Sequence, residues 1–150
     1  LPYKNDSYCL GSQYWAKKPH VPNYRAKYGI LLDMVGAKGS TFYMEMYSMK
    51  YAPSIVRRVW NNAAQLGYTE YFIFRETKRP LIDDHYYINT IIGIPTINII
   101  YTTNDQPNLF GPTWHTHDDD MDIIDPKVLK AAGQTVLYTV YQEDAAGAQV

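Results

Sequence analysis

The sequence predicts an α/β fold built on a mostly parallel sheet flanked by helices. Three observations predict it. Short apolar segments at residues 29–36, 71–74 and 96–101 alternate with segments of helical periodicity. The strand segments are apolar along their length instead of alternating, as expected of strands covered on both faces. The order helix, strand, helix, strand, helix, strand, helix is that of crossover units, which place successive strands parallel.

Each element has a local reason. Residues 7–18 read as a short helix with Asp6 or Ser7 as N-cap and Pro19 just past the end. Residues 29–36 (GILLDMVG) are a buried strand ending in a turn. From Pro53 to Gly67, Ile55, Val56, Val59, Trp60, Ala63 and Leu66 recur at helical spacing, with Pro near the start and Gly after the end. Residues 71–74 (YFIF) form a second strand. Asp83 or Asp84 caps a helix through Tyr87, Ile88, Ile91 and Ile92, stopped by Gly93-Ile94-Pro95. Residues 96–101 (TINIIY) are the third strand. Asp125-Pro126 opens a last helix whose predicted buried stripe is Val128, Leu129, Ala132, Val136, Leu137 and Val140.

Composition removes several function classes. The 150 residues suffice for one domain with a core, and 46% hydrophobic against 19% charged residues is a globular balance. Fourteen Lys+Arg against fifteen Asp+Glu leave a net charge of −1, so no basic field is available to hold nucleic acid. Apolar runs are as short as residues 97–101, which predicts no membrane span. A single cysteine, Cys9, excludes an internal disulfide and a multi-cysteine zinc site. The chain opens Leu1-Pro2-Tyr3 with no signal peptide, and the expectation is a removed leader or a part of something larger.

Ligands of open α/β sheets bind at the carboxyl ends of the strands. Three polar features fall on that edge: Asp33 in the last part of the first strand, Asp83-Asp84-His85 after the second, and Trp114-His115-Thr116-His117 with the acids that follow, after the third. Carboxylates and imidazoles gathered there suit a metal or an acid–base site. Each has a second reading: Asp33 as a turn former, Asp83 or Asp84 as a helix cap, His115 as a packed loop histidine. The acidic run 118–122 fails as an EF-hand, because Ile123 stands where that loop needs Gly and Leu129 where it needs Glu. A solvated acidic turn fits it better. Motifs of serine hydrolases, P-loops, dinucleotide folds and HExxH proteases are absent.

The segments GILLDMVGA (29–37), IDDHYYINTIIGIPTINII (82–100) and FGPTWHTHDDDMDIID (110–125) resemble the zinc-dependent aminopeptidase/glutaminyl cyclase superfamily, peptidase family M28. The last helix with its GQT (133–135) and the N-terminal DSYCLGSQYWA (6–16) extend the likeness over nearly the whole chain. The resemblance implies a partial three-layer α/β sandwich, a mostly parallel sheet with helices on both faces, phosphorylase/hydrolase-like and of the zinc exopeptidase type. It implies that residues 1–150 are the C-terminal half of one such domain. Within the superfamily, Asp83-Asp84-His85 and Trp114-His115-Thr116 resemble the animal-type glutaminyl cyclases, where the aminopeptidases carry Ser-Asp-His and often Tyr-His-Thr.

The implied activity is glutaminyl-peptide cyclotransfer, turning an N-terminal glutamine into pyroglutamate with release of ammonia. The resemblance makes His115 a ligand of one zinc ion. It makes Asp83 and Asp33 members of the catalytic hydrogen-bond network, and Trp114, Phe110 and Leu81 the apolar wall of the substrate pocket. In the two-metal aminopeptidases the position of Asp33 is itself a ligand. The remaining ligands and the general acid/base fall upstream of these residues in the family. The expected partners are therefore peptides with N-terminal Gln and a missing N-terminal half or another copy of the chain, and the 150 residues alone are expected to hold no catalytic zinc. The implied compartment is the periplasm or the exterior. The alternatives are a dinuclear zinc aminopeptidase and a non-catalytic binding or assembly module.

Overall fold

The computed structural model describes residues 7–105 and 109–147. Strand β1 (Gly29–Asp33) pairs in parallel with β4 (Thr96–Ile100), running from Gly29 opposite Thr96 to Asp33 opposite Ile100. A second parallel pair, β2 (Phe42–Met44) and β3 (Phe72–Glu76), sets Phe42 beside Phe72 and slips register between Tyr43 and Met44. Tyr101, just past β4, bridges Phe42 in the antiparallel sense. Thr102 N–H donates to the Thr41 carbonyl at 3.0 Å, and the Thr41 hydroxyl donates to the Thr102 carbonyl at 2.9 Å. The two pairs are thus stitched together by the chain leaving β4.

The expected α/β architecture is present, with a strand and a short helix added between the first strand and the Pro53 helix. The sequence reading has three strands; the described residues form four, the extra one being β2, which is only three residues long and offers too little periodicity to read. A short helix, α2 (Met46–Tyr51), follows directly and was likewise not predicted. The first helix is α1 (Leu10–Lys17), capped by Cys9 in the left-handed region (φ 53°) and not by Ser7; Asp6 lies outside the described residues.

Helix α3 (Pro53–Gln65) begins with its proline and buries Ile55, Val56, Val59, Trp60 and Ala63, while Leu66 lies past its end, exposed. Helix α4 (Asp84–Tyr87) continues into a π-helical turn, Ile88–Ile92. Asn89 explains the wide turn: its Nδ2 donates to the carbonyls of His85 and Thr96, and its Oδ1 accepts from Thr96 N–H at 3.0 Å. The final helix is α5 (Pro126–Gly147), with Lys127 N–H on the Asp125 carboxylate at 2.8 Å.

The predicted stripe of α5 needs correction. Leu129, Leu137 and Val140 are 44%, 56% and 47% exposed, whereas Val128, Ala131, Ala132, Thr135 and Thr139 are buried. The buried face packs on α3, where small residues let two helices approach closely. The threonines meet no penalty there, because Thr135 and Thr139 hydroxyls donate to the carbonyls four residues back and Thr139 accepts from Asn62 Nδ2 at 2.9 Å.

The core joins both strand pairs to α3 and α5 through Phe42, Phe72, Trp60, Val56, Val59, Ile97, Ile99, Val128 and Ala132. A smaller cluster, Leu81, Ile100 and Leu109 with Met34 and Phe110 packed on it, lies at the carboxyl end of β1 and β4. That end carries the site. Among the described residues no helix is long and apolar enough to cross a membrane.

Candidate functional site

Asp33 closes β1, and Met34 after it takes a left-handed conformation (φ 51°) that turns the chain away and leaves the carboxylate at the strand's end. Asp83 is anchored from more than one element. It is the N-cap of α4, accepting Asp84 N–H on Oδ1 at 2.7 Å. It is also fixed from two other elements: Asn98 Nδ2 of β4 donates to Oδ2 at 2.9 Å, and the Cys9 thiol donates to Oδ1 at 3.8 Å. Asn98 is fully buried, and its own N–H rests on Ser48 Oγ at 2.9 Å.

The third contribution comes from the segment after β4. His115 adopts φ 58°, an uncommon conformation for a non-glycine residue and costly unless its surroundings hold it. Its ring stacks on Trp114 with centroids 3.9 Å apart and planes 19° from parallel, and Trp114 in turn lies 4.7 Å from Phe110. Gly111 sits under the Tyr101 ring so closely that any side chain there would collide with it.

These pieces meet. One cavity of about 450 Å³ is bordered by Asp33, Asp83, Asp84, Asp119, Trp114 and His115, with Tyr8 and Cys9 at one side. A second, of about 320 Å³, shares Asp33, Asp83, Tyr8, Met34 and Trp114 with it and is otherwise walled by Leu81, Phe110, Ile100, Ile82 and Pro80. All six residues singled out from the sequence, Asp33, Asp83, His115, Trp114, Phe110 and Leu81, therefore border this pair of cavities, one acidic and one apolar. A separate apolar hollow of about 240 Å³ beside α1, lined by Trp15, Tyr24 and Ile94, gathers no comparable set of acids.

The acidic side has a defined electrostatic character. Burial pushes the Asp33 carboxyl above the usual carboxylate range, and the charge of Asp83 adds to it, against a lowering hydrogen bond from Met34 N–H. The Cys9 thiol is pushed up to about 12 by burial and by Asp84 and Asp83, so it stays protonated at neutral pH and acts as a donor. Burial, followed by Cys9, Asp83 and Asp33, likewise raises the Tyr8 phenol.

The fit to a metal follows from the donors. Among the described residues, the ligating atoms of Cys9, Asp83 and Asp84 lie within 4.8 Å of one another. His115 is not one of that group, and its imidazole opens on the same cavity. An imidazole is a nitrogen ligand that zinc accepts, and His115 fits one place in its shell.

One residue of the sequence motif faces elsewhere. His85, grouped with the edge acids from its position beside them, is fully buried, and its Nε2 lies 2.9 Å from Glu45 Oε2. Glu45 was not singled out at all. Its signal was available: a lone carboxylate inside the apolar run Phe42 to Met46 has to be buried and paired. Asn98, a lone amide in an apolar strand, carried the same kind of signal.

Comparison with known proteins agrees with this architecture. The profile of peptidase family M28 matches residues 5–140. No curated protein matches. Among solved structures, a Zn-dependent exopeptidase from Parabacteroides distasonis is 50% identical with a TM-score of 0.91, over 94% of this chain and 48% of that one. A glutaminyl cyclase from Porphyromonas gingivalis is 48% identical (TM-score 0.91, 95% of this chain and 49% of that one). The glutaminyl cyclase of Tannerella forsythia is 49% identical (TM-score 0.89, 94% and 48%). The chain thus spans about half the length of these relatives. On the family match over most of its length and on these likenesses, the chain belongs to peptidase family M28.

Proposed function

We propose that these residues form the C-terminal half of the catalytic domain of a zinc-dependent glutaminyl-peptide cyclotransferase. The observation that carries this reading is the joined pair of cavities, to which three separate chain segments bring His115, Asp83 and Asp33 beside an apolar wall of Trp114, Phe110 and Leu81. The likeness to structures named glutaminyl cyclases supports it, as does the reading of Asp83-Asp84-His85 and Trp114-His115-Thr116.

The chemistry asks little of the protein's own nucleophiles. The substrate's α-amine attacks its own side-chain amide carbon; the new C–N bond closes a five-membered ring, the bond to the amide nitrogen breaks, and ammonia leaves. One proton must pass from the amine to that ammonia. The general acid/base that carries it comes from the upstream half, and Asp33, its carboxyl pushed up by burial, and Asp83, fixed by Asn98 and Cys9, complete the hydrogen-bond network beside it. The apolar cavity receives the methylene chain of the glutamine, and its aromatic wall orients groups that are already tethered, the condition under which positioning contributes most. His115 would hold the zinc together with ligands from the other half of the domain. When bound, zinc polarises a carbonyl as a Lewis acid. The compartment proposed is the periplasm or the exterior.

A second reading is supported by the exopeptidase from Parabacteroides distasonis: a dinuclear zinc aminopeptidase in which Asp33 serves as a ligand. Mass spectrometry of peptides incubated with the zinc-loaded full-length protein separates the two. The cyclotransferase removes one ammonia from a Gln-initiated peptide and leaves Leu- and Ala-initiated peptides intact. Release of free N-terminal residues would instead establish the aminopeptidase, and a protein that neither reacts nor binds zinc would be an assembly module.

A further inference from the structure

The Glu45 carboxylate, contributed by the short β2–α2 junction, is fully buried and grips both sides of the segment that carries Asp83. Oε1 accepts Leu81 N–H at 2.9 Å, two residues before Asp83. Oε2 lies 2.9 Å from His85 Nε2, two residues after it, in a pairing where the ring must donate. The same carboxylate accepts the N–H groups of Tyr47 and Ser48, which cap α2 and hold Glu45 to its own element. Ser48 Oγ adds a second strut: it donates to Glu45 Oε2 and accepts Asn98 N–H, and Asn98 is the residue whose side chain holds Asp83.

We propose that Glu45 is a positioning residue for the active site, clamping the 81–85 segment so that Leu81 and Asp83 keep their places in the paired cavities. The proposal rests on the cyclotransferase reading for its kinetic consequence, but its geometric content stands apart from that reading. Residues 81–85 have no strand partner, and this stretch reaches β2 and α2 through the Glu45 carboxylate. A carboxylate with its lone pairs filled in a dry interior is a rigid anchor, because any displacement leaves charge or a donor unpaired. Substrate-side precision is then set from a residue that touches no substrate.

The test uses the zinc-loaded full-length protein, with wild type, Glu45→Gln, His85→Gln and Asn62→Ala compared on the same preparations. Asn62→Ala deletes a buried hydrogen bond between α3 and α5, away from the site, and controls for lost stability. Two quantities are read well below the melting temperature: amide hydrogen exchange over residues 81–86, and kcat and KM for ammonia release from a Gln-initiated peptide.

Glu45→Gln is expected to speed exchange at Leu81 and its neighbours at least tenfold. It should lower kcat at least tenfold with KM changed less than threefold and zinc content intact. His85→Gln, which opens only one side of the clamp, should move both readouts the same way by less, and it carries the test alone if Glu45→Gln fails to fold. Asn62→Ala should lower the melting temperature and move neither. Unchanged exchange over 81–86, or unchanged kcat in a variant whose exchange has risen, overturns the proposal. If the wild type releases no ammonia, the cyclotransferase reading falls, and the exchange measurement by itself decides whether the clamp exists.

Discussion

Glu45 and Asp33 are both carboxylates drawn out of water, and the chain surrounds them in opposite ways. At Glu45 burial alone would push the carboxyl up, yet hydrogen bonds from His85, Leu81 and Tyr47 outweigh it and hold the group below its ordinary value. At Asp33 burial also pushes up, the neighbouring charge of Asp83 pushes the same way, and Met34 N–H does not compensate. The lesson is one of donor supply. A carboxylate ringed by donors is fixed in one ionisation state and serves as framework, whereas one facing other carboxylates is left ready for a proton or a cation.

The largest effect that would sharpen this contrast is on the open side. His115→Ala in the full-length protein is expected to lose zinc and activity together, by more than the ~10–100-fold that follows loss of an outer partner of a metal. Metal analysis beside turnover checks it. Asp83→Asn keeps the shape of the side chain and removes its charge; zinc should remain while kcat falls by roughly 10–100-fold, the scale of losing a partner that orients an active site. Retained turnover would reassign Asp83 to helix capping alone.

On the closed side the expected signature is stability. Glu45→Ala strips the partner from a buried His and should cost about 3 kcal/mol in urea unfolding near neutral pH. The sign with pH follows from the lowered group: its stabilisation is complete above the ordinary glutamate value of 4.5 and is lost as pH falls through the lower folded value. The gap between wild type and Glu45→Ala should therefore shrink in acid. A gap that stays constant down to the acid transition would contradict the assignment. The smallest effect belongs to Trp114→Ala, which should raise KM roughly fivefold, in keeping with about 1 kcal/mol for a lost aromatic contact, with kcat little changed.

The sequence made the open side legible and hid the closed one, for a physical reason. β1, β4 and α3 announce themselves by apolar runs or by a stripe at helical spacing. Asp33, Asp83 and His115 stood out because they interrupt or follow such runs at the strand ends. β2 and α2 follow each other directly within residues 42–51, a largely apolar stretch with no Gly or Pro between them and too short to show a period, so the sequence marks neither them nor Glu45. His85 was misplaced for a related reason: three polar residues in a row look like one feature, but a helix start sends alternate side chains to opposite sides, Asp83 to the cavity and His85 to the core. The α5 stripe failed because Thr hides its hydroxyl in the helix and packs as a small apolar residue, while the leucines remain outside.

The account turns on His115 belonging with the acids of β1 and α4 in one metal-centred site. An anomalous-difference map of the zinc-loaded full-length protein, recorded at the zinc absorption edge, tests this most directly. A peak at about 2.1 Å from a His115 ring nitrogen, on the side of the cavity that faces Asp33 and Asp83, is the predicted result. A peak lodged on Cys9 and Asp84 with His115 unbound, or no peak at His115, would contradict it.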